Sequence, residues 1–259
     1  MADAAVVLEI EDYIATVRIN RPENRNSMTP EVLEGIGAAL GRVREDGAVR
    51  CVVVTGSGKS FCAGADFRSQ PAESELPAHE RLYATYHHFL EVADLELPTI
   101  AAMNGHAIGG GLGLALVCDL RVASASARYG ANFVQLGMHP GMAITYLMPR
   151  LTGVPKAVEL LLTGRILSGQ EAESAGLVHY AVEPEQVLPR ALELAREIAK
   201  AAPLAVRWTK QSIYRNLDWG PRRAAQLEAM VQSRSMETQD FREGVSALLK
   251  KRPPEFEGR

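Results

Sequence analysis

Residues 98–118 read PTIAAMNGHAIGGGLGLALVC, and this stretch decides the fold. Thr99 to Met103 is a short run of apolar and small residues, the pattern of a strand covered on both faces. Gly105, Gly109, Gly110, Gly111 and Gly113 punctuate the next residues, and Leu112 to Cys118 reads as a helix. Strand, glycine turn and helix in close succession is a unit of α/β architecture. The stretch carries no charge, yet Asn104, His106 and its glycines suit a buried strand, turn and helix better than a membrane span.

The same alternation extends outward. VVLEIEDYIATVRIN near the N-terminus predicts two strands around Glu11-Asp12, with Ala15, Val17 and Ile19 on one face. Thr29 is a helix N-cap followed by Pro30 at the first helical position, and that helix runs to about Glu45. Cys51 to Val54 is a buried strand ending at Gly56. A polar loop from Gly56 to Pro77, a helix over about His79 to Asp94 and a strand over Leu120 to Ala123 complete the pattern. From Glu185 the character changes: 185–201, 203–217, 221–237 and 240–251 each read as helix, separated by Pro203, Gly220-Pro221 and Pro253-Pro254. The expectation is an α/β body over 1–196 and a helical subdomain over 197–259.

Composition narrows the class. The chain has 259 residues, 47% of them hydrophobic and 23% charged, ordinary for one large globular unit. With 31 acidic against 28 basic residues, the net charge of −3 argues against a nucleic-acid binder held by a global positive field. Arg190 to Arg223 is locally basic and reads either as a solvated helix face or as a patch for an anionic ligand. Cys51, Cys62 and Cys118 form no CxxC pair and sit among apolar or small residues, so they are expected as buried reduced thiols. The acidic opening, Met1 to Glu9, has neither a basic n-region nor an apolar h-region, and a cytoplasmic protein without metal or membrane partner is expected.

Two glycine motifs fail as nucleotide sites. Gly56-Ser57-Gly58-Lys59-Ser60 lacks the first glycine of a phosphate loop, where Val53 stands. Gly109-Gly110-Gly111-Leu112-Gly113 places Leu114 where a dinucleotide fingerprint needs its third glycine. A glycine-dense turn opening a helix still presents free N–H groups and the positive end of a dipole. Phe61 to Asp66 is a second small-residue turn after a buried strand. If the two strands are neighbours, each turn can aim one N–H at the same oxygen, which is the construction of an oxyanion hole. Tight-turn packing is the other reading of these glycines.

Asn20 to Asn26 (NRPENRN), Ser60 to Phe67 (SFCAGADF) and Pro98 to Gly111 together resemble the enoyl-CoA hydratase/isomerase (crotonase) family in order and spacing. So do Pro149 to Gly153, Thr163-Gly164-Arg165, Ala175 to Val178, and the closing Glu243-Gly244-Val245 to Phe256. The resemblance covers essentially the whole chain. It implies a right-handed ββα spiral with a helical tail that assembles trimers, often as hexamers. It also implies an acyl-CoA thioester as ligand, with coenzyme A entering as part of the substrate and no separate cofactor. The family's oxyanion donors map onto the backbone N–H groups of Ala65 and Gly110. Its CoA contacts map onto Asn24, Arg25, Ala63, Asp66 and Phe67, with Phe256 near the nucleotide. Asp66 matches a common acid read as fixing its loop.

The departures from the family pattern are as informative. The two glutamates of the family's hydratases fall on Gly113 and Phe133, and a third carboxylate position used by some relatives falls on Gly141. Adding water to a double bond needs a base for the water and an acid for the α-carbon, and these residues supply neither. His139 is the nearest titratable candidate, read either as a proton carrier or as a hydrogen-bonded residue at a loop start. Tyr146 is a second polar candidate, and His106 reads as structural. His79, Tyr83, Tyr86, His87 and His88 read either as acyl-pocket lining or as surface. The resemblance implies an acyl-CoA enzyme working through a stabilised enolate, and the departures from it point to isomerisation, hydrolysis or C–C cleavage rather than ordinary hydration. The alternative is an acyl-CoA carrier or regulator that has lost catalysis.

Overall fold

Two sheets built by alternating deposition organise the chain. The computed structural model describes residues 4–66 and 76–259. In chain order the elements are β1 (Val6–Glu11), β2 (Ile14–Ile19), α1 (Pro30–Glu45), β3 (Cys51–Gly56), β4 (Ser60–Cys62) and α2 (Ala78–Ala93). Next come β5 (Thr99–Met103), β6 (His106–Ile108), α3 (Gly110–Leu116), β7 (Leu120–Ser124) and β8 (Arg128–Gly130). A 3-10 turn (Phe133–Leu136) leads to α4 (Ile144–Thr152), α5 (Val154–Thr163), β9 (Leu167–Ser168), α6 (Gly169–Ser174) and β10 (Tyr180–Val182). The tail is α7 (Val187–Ala199), α8 (Pro203–Asn216), α9 (Pro221–Met236) and α10 (Gln239–Lys250).

The larger sheet has the order β1-β2-β3-β5-β7-β10 and the smaller the order β4-β6-β8-β9. Each turn of chain lays one strand in the large sheet and the next in the small one: β3 then β4, β5 then β6, β7 then β8. These successive strands run parallel within each sheet, which requires a crossover between them and produces a ββα spiral. β3 and β5 are apolar throughout because both faces are covered. Val52, Val54, Ala101 and Met103 join the main core, while Cys51, Val53, Ile100 and Ala102 face Val187, Ala191, Leu194 and Ala195 of α7.

The helix starts expected from local pattern are realised closely. Thr29 caps α1 by accepting the Val32 N–H at 3.4 Å, with Pro30 first in the helix. The expected polar loop from Gly56 to Pro77 contains β4, whose three residues are too few to show periodicity. They are specified by pairing with β6 rather than by local pattern. Helix α3 begins two residues earlier than expected, so that Gly110 and Gly111 form its first turn. The division expected between 196 and 197 falls within the last turn of α7.

The tail is fastened to the body by polar contacts. Lys210 Nζ of α8 lies 2.8 Å from Asp119 Oδ2 and donates to Leu97 O at 2.8 Å. Tyr214 Oη donates to the other Asp119 oxygen at 2.7 Å. Arg50 donates to Ala199 O at 2.9 Å and to Phe256 O at 2.7 Å, tying down the last residues. The basic run from Arg190 is thus dispersed. Besides Lys210, Arg190 pairs with Glu193, Arg207 donates to Val49 O, and Arg223 stacks on Trp219.

All three cysteines are buried and unpaired by disulfides. Burial pushes each thiol up to about 12, so almost no thiolate exists near neutrality. Iodoacetamide at pH 8 is expected to leave the native protein unlabelled and to label all three positions in denaturant. Mass spectrometry showing a modified cysteine in the native protein contradicts this.

Candidate functional site

Two turns that close on one another form the site. After β2 the chain doubles back, with Arg25 and Asn26 in the left-handed region at φ 52° and 56°. Asn is one of the residues that tolerates this conformation, and here its buried side chain holds the turn. Its Oδ1 accepts the Arg21 N–H at 2.9 Å, and its Nδ2 donates to Ser57 O at 2.9 Å and Ser60 O at 2.7 Å. The Ala63 N–H donates to Arg25 O at 3.1 Å, and the Met28 N–H to Gly64 O at 2.8 Å. Asn24 Nδ2 donates to Asp66 Oδ2 at 3.1 Å, so this acid holds the two segments together.

The second turn is the start of α3. Gly109 has φ 55° and donates its N–H to Gly130 O at 2.8 Å. A Cβ at Gly111 would overlap the Cys62 carbonyl, and a Cβ at Gly64 would stand 3.0 Å from the Gly110 nitrogen. Only glycine lets the turns approach this closely. Ala65 and Gly110 are thereby brought to the same place. Among the described residues neither N–H has an acceptor. For Gly110 the cause is general, because the first N–H of a helix has no partner within it.

Apolar side chains enclose this pair. A Cβ on Gly110 would lie 3.2 Å from Met28 Sδ and 3.7 Å from Met142 Cγ, and one on Gly109 would lie 3.7 Å from the Phe133 ring. Met142 and Ala143 are consecutive non-glycine residues in the left-handed region, at φ 58° and 53°. Such conformations are costly and persist where surrounding structure imposes them. Their effect is to seat Met142 on Gly113, where an added Cβ would stand 2.5 Å from Met142 Cβ. At Gly141 an added Cβ would overlap Tyr86 Oη, with Tyr86 Cζ at 3.0 Å. Tyr86 is half-buried on α2 and packs edge-on against Phe89. Gly113 is thus covered by Met142, Gly109 faces the Phe133 ring, and Gly141 is covered by Tyr86.

The other expected residues are spread more widely. His139 is exposed, with no hydrogen-bond or charge partner among the described residues. Tyr146 is exposed and lies under the Arg150 guanidinium at 3.6 Å. His106 accepts the Arg128 N–H at 3.0 Å, in keeping with a structural reading. Phe67 lies outside the described residues. Phe256 packs against Gly244 of α10, beside a cavity of about 300 Å³ also lined by Trp208 and Phe241. His87, His88 and Glu91 cluster on α2, but Glu91 is already ion-paired with Arg44 at 2.8 Å. The positions of Met28 and Met142 and the fit of Tyr86 to Gly141 are not legible in the sequence.

Residues 9–259 match the family model described as enoyl-CoA hydratase/isomerase. The chain is 38% identical over 257 residues to a crotonyl-CoA hydratase of Syntrophomonas wolfei, covering 99% of each. It is 38% identical to an (E)-benzylidenesuccinyl-CoA hydratase of Thauera aromatica, covering 98% of this chain and 99% of that one. Its fold superposes on the crystal structure of an enoyl-CoA hydratase from Bacillus anthracis with a TM-score of 0.94. That protein is 34% identical, with 98% of this chain and 100% of that chain covered.

Proposed function

Since the chain belongs to the enoyl-CoA hydratase/isomerase family, we propose that it binds an acyl-CoA with the thioester oxygen between the N–H groups of Ala65 and Gly110. The observation that supports this most directly is the pair of abutting turns whose two N–H groups have no acceptor among the described residues. Preorganised donors in an apolar enclosure stabilise the charge that develops on a thioester oxygen as it becomes an enolate. Asn24, Arg25, Ala63, Asp66 and Phe67 lie on the segments assigned to CoA, and Phe256 to its nucleotide end. Helices α9 and α10 expose Met230, Leu248 and Leu249 at 72%, 77% and 77%, and we assign these apolar side chains to assembly as a trimer or as a hexamer made of two trimers. Among the described residues no helix is long and apolar enough to cross a membrane, and the buried free thiols fit a reducing compartment such as the cytoplasm.

The reaction we assign is enolate chemistry other than two-carboxylate hydration. Met142 covers Gly113 and an aromatic ring stands at 133, so the usual acid and base are absent. His139 is the residue assigned to any proton transfer, its exposed side chain being free to reach a bound ligand. The same absences favour an acyl-CoA carrier as the second reading.

Binding of crotonyl-CoA is expected to move the thioester carbonyl stretch to lower frequency in an infrared difference spectrum. Gly110→Pro removes the N–H while keeping a residue suited to a first helical position. It is expected to abolish that shift and to lower any turnover about a hundredfold. Hydration of crotonyl-CoA by the unmodified protein at about 10 per second, an ordinary enzyme rate, overturns the non-hydratase assignment. Binding without turnover across a panel of acyl-CoAs establishes the carrier. His139→Ala is expected to lose turnover and retain CoA binding; unchanged turnover removes His139 from the mechanism.

A further inference from the structure

Resting on the acyl-CoA reading above, we propose that Tyr86 is a specificity-determining residue, its hydroxyl selecting acyl groups that carry an oxygen on their first carbons beyond the thioester. Tyr86 Oη stands where a side chain on Gly141 would begin, so the phenol and the glycine fit one another. Gly141 precedes Met142, whose side chain touches both the Gly110 and Gly113 positions of α3. The hydroxyl thus packs on the residue preceding Met142, one position along the chain from the side chain that lines the Gly110 turn, and its assigned role sets it beside the first carbons of a bound acyl chain.

Among the described residues, Met28, Met142 and Phe133 lie against Gly109, Gly110 and Gly113 and have no polar hydrogen to donate. Tyr86 Oη has no hydrogen-bond partner among the described residues, and is available to a ligand. An acyl chain without oxygen would cover the hydroxyl and leave it unpaired, which disfavours binding; a chain with a carbonyl or hydroxyl oxygen there accepts its proton. A hydroxyl donor set among apolar side chains discriminates against the ligand lacking the acceptor. No proton is transferred in this role, and the hydrogen bond alone supplies the preference.

The test compares 3-oxobutyryl-CoA with butyryl-CoA, which share a carbon skeleton and differ by one carbonyl, using calorimetric Kd values. The unmodified protein is expected to bind the oxo ligand about tenfold more tightly. Tyr86→Phe removes only the hydroxyl and is expected to reduce that preference to within about twofold, with butyryl-CoA affinity kept or improved. Gly141→Ala acts independently by displacing the phenol, and is expected to reduce the preference in the same way. A preference surviving unchanged in Tyr86→Phe, or equal binding of both ligands by the unmodified protein, overturns the role of Tyr86 alone. Failure of both ligands to bind overturns the acyl-CoA reading together with this proposal.

Discussion

Gly113→Glu, which installs a carboxylate where the resemblance implies a glutamate, is expected to destabilise the protein by about 4 kcal/mol and to confer no crotonyl-CoA hydration. The added Cβ would stand 2.5 Å from Met142 Cβ, a separation that real side chains do not adopt, so backbone must move. Overpacking of a close-packed site costs about 1–3 kcal/mol, and placing an unpaired carboxylate in this fully buried helix costs several more. At about 2–4 °C per kcal/mol for a chain of this size, the melting temperature falls by roughly 10 °C. Met142→Gly in the same chain removes the colliding atom and relieves the left-handed backbone at φ 58°. The double variant is expected to regain a large part of the lost stability. A single Gly113→Glu variant that melts within about 3 °C of the parent, or hydrates crotonyl-CoA, shows that Met142 is not what excludes the glutamate.

Lys210→Met is expected to cost about 3 kcal/mol and to loosen the tail helices from the sheet. The side chains of Lys210 and Asp119 are 9% and 17% exposed, which leaves little water to solvate either alone. Removing the lysine deprives a nearly buried carboxylate of its cation and orphans the Leu97 carbonyl. Asp119 keeps donors from the Thr99 N–H at 2.7 Å, the Thr99 hydroxyl at 2.9 Å and Tyr214 at 2.7 Å, which holds the loss at the lower end for a buried pair. Replacing both partners, Asp119→Asn with Lys210→Met, removes the stranded charge while keeping an acceptor for Thr99 and Tyr214, and is expected to be less destabilising than the lysine change by itself. Thermal melts of the two singles and the double give the coupling. Additive losses contradict the ion pair as the fastening of α8.

Much of the fold is legible locally. The helix starts at Thr29-Pro30, Pro203 and Gly220-Pro221 depend on caps and proline geometry within a few residues. The uniformly apolar strands β3 and β5 announce two covered faces. The small sheet is not legible, because three-residue strands such as β4 and β8 show no period and exist through pairing across the spiral. Within the candidate site, the glycine turns can be read directly, since a glycine is identified by what it lacks.

The amino-acid order by itself determined the helix starts, the apolar strands β3 and β5 and the two glycine turns. Those arise from backbone conformation and hydrogen bonds that close over a few residues. Tertiary structure alone decided that the turns abut at Gly64 and Gly110, that Met142 covers Gly113, and that Tyr86 fills the space above Gly141. Each of these is a contact between segments distant along the chain. Such contacts are set by how whole elements pack, and no periodicity or spacing encodes them.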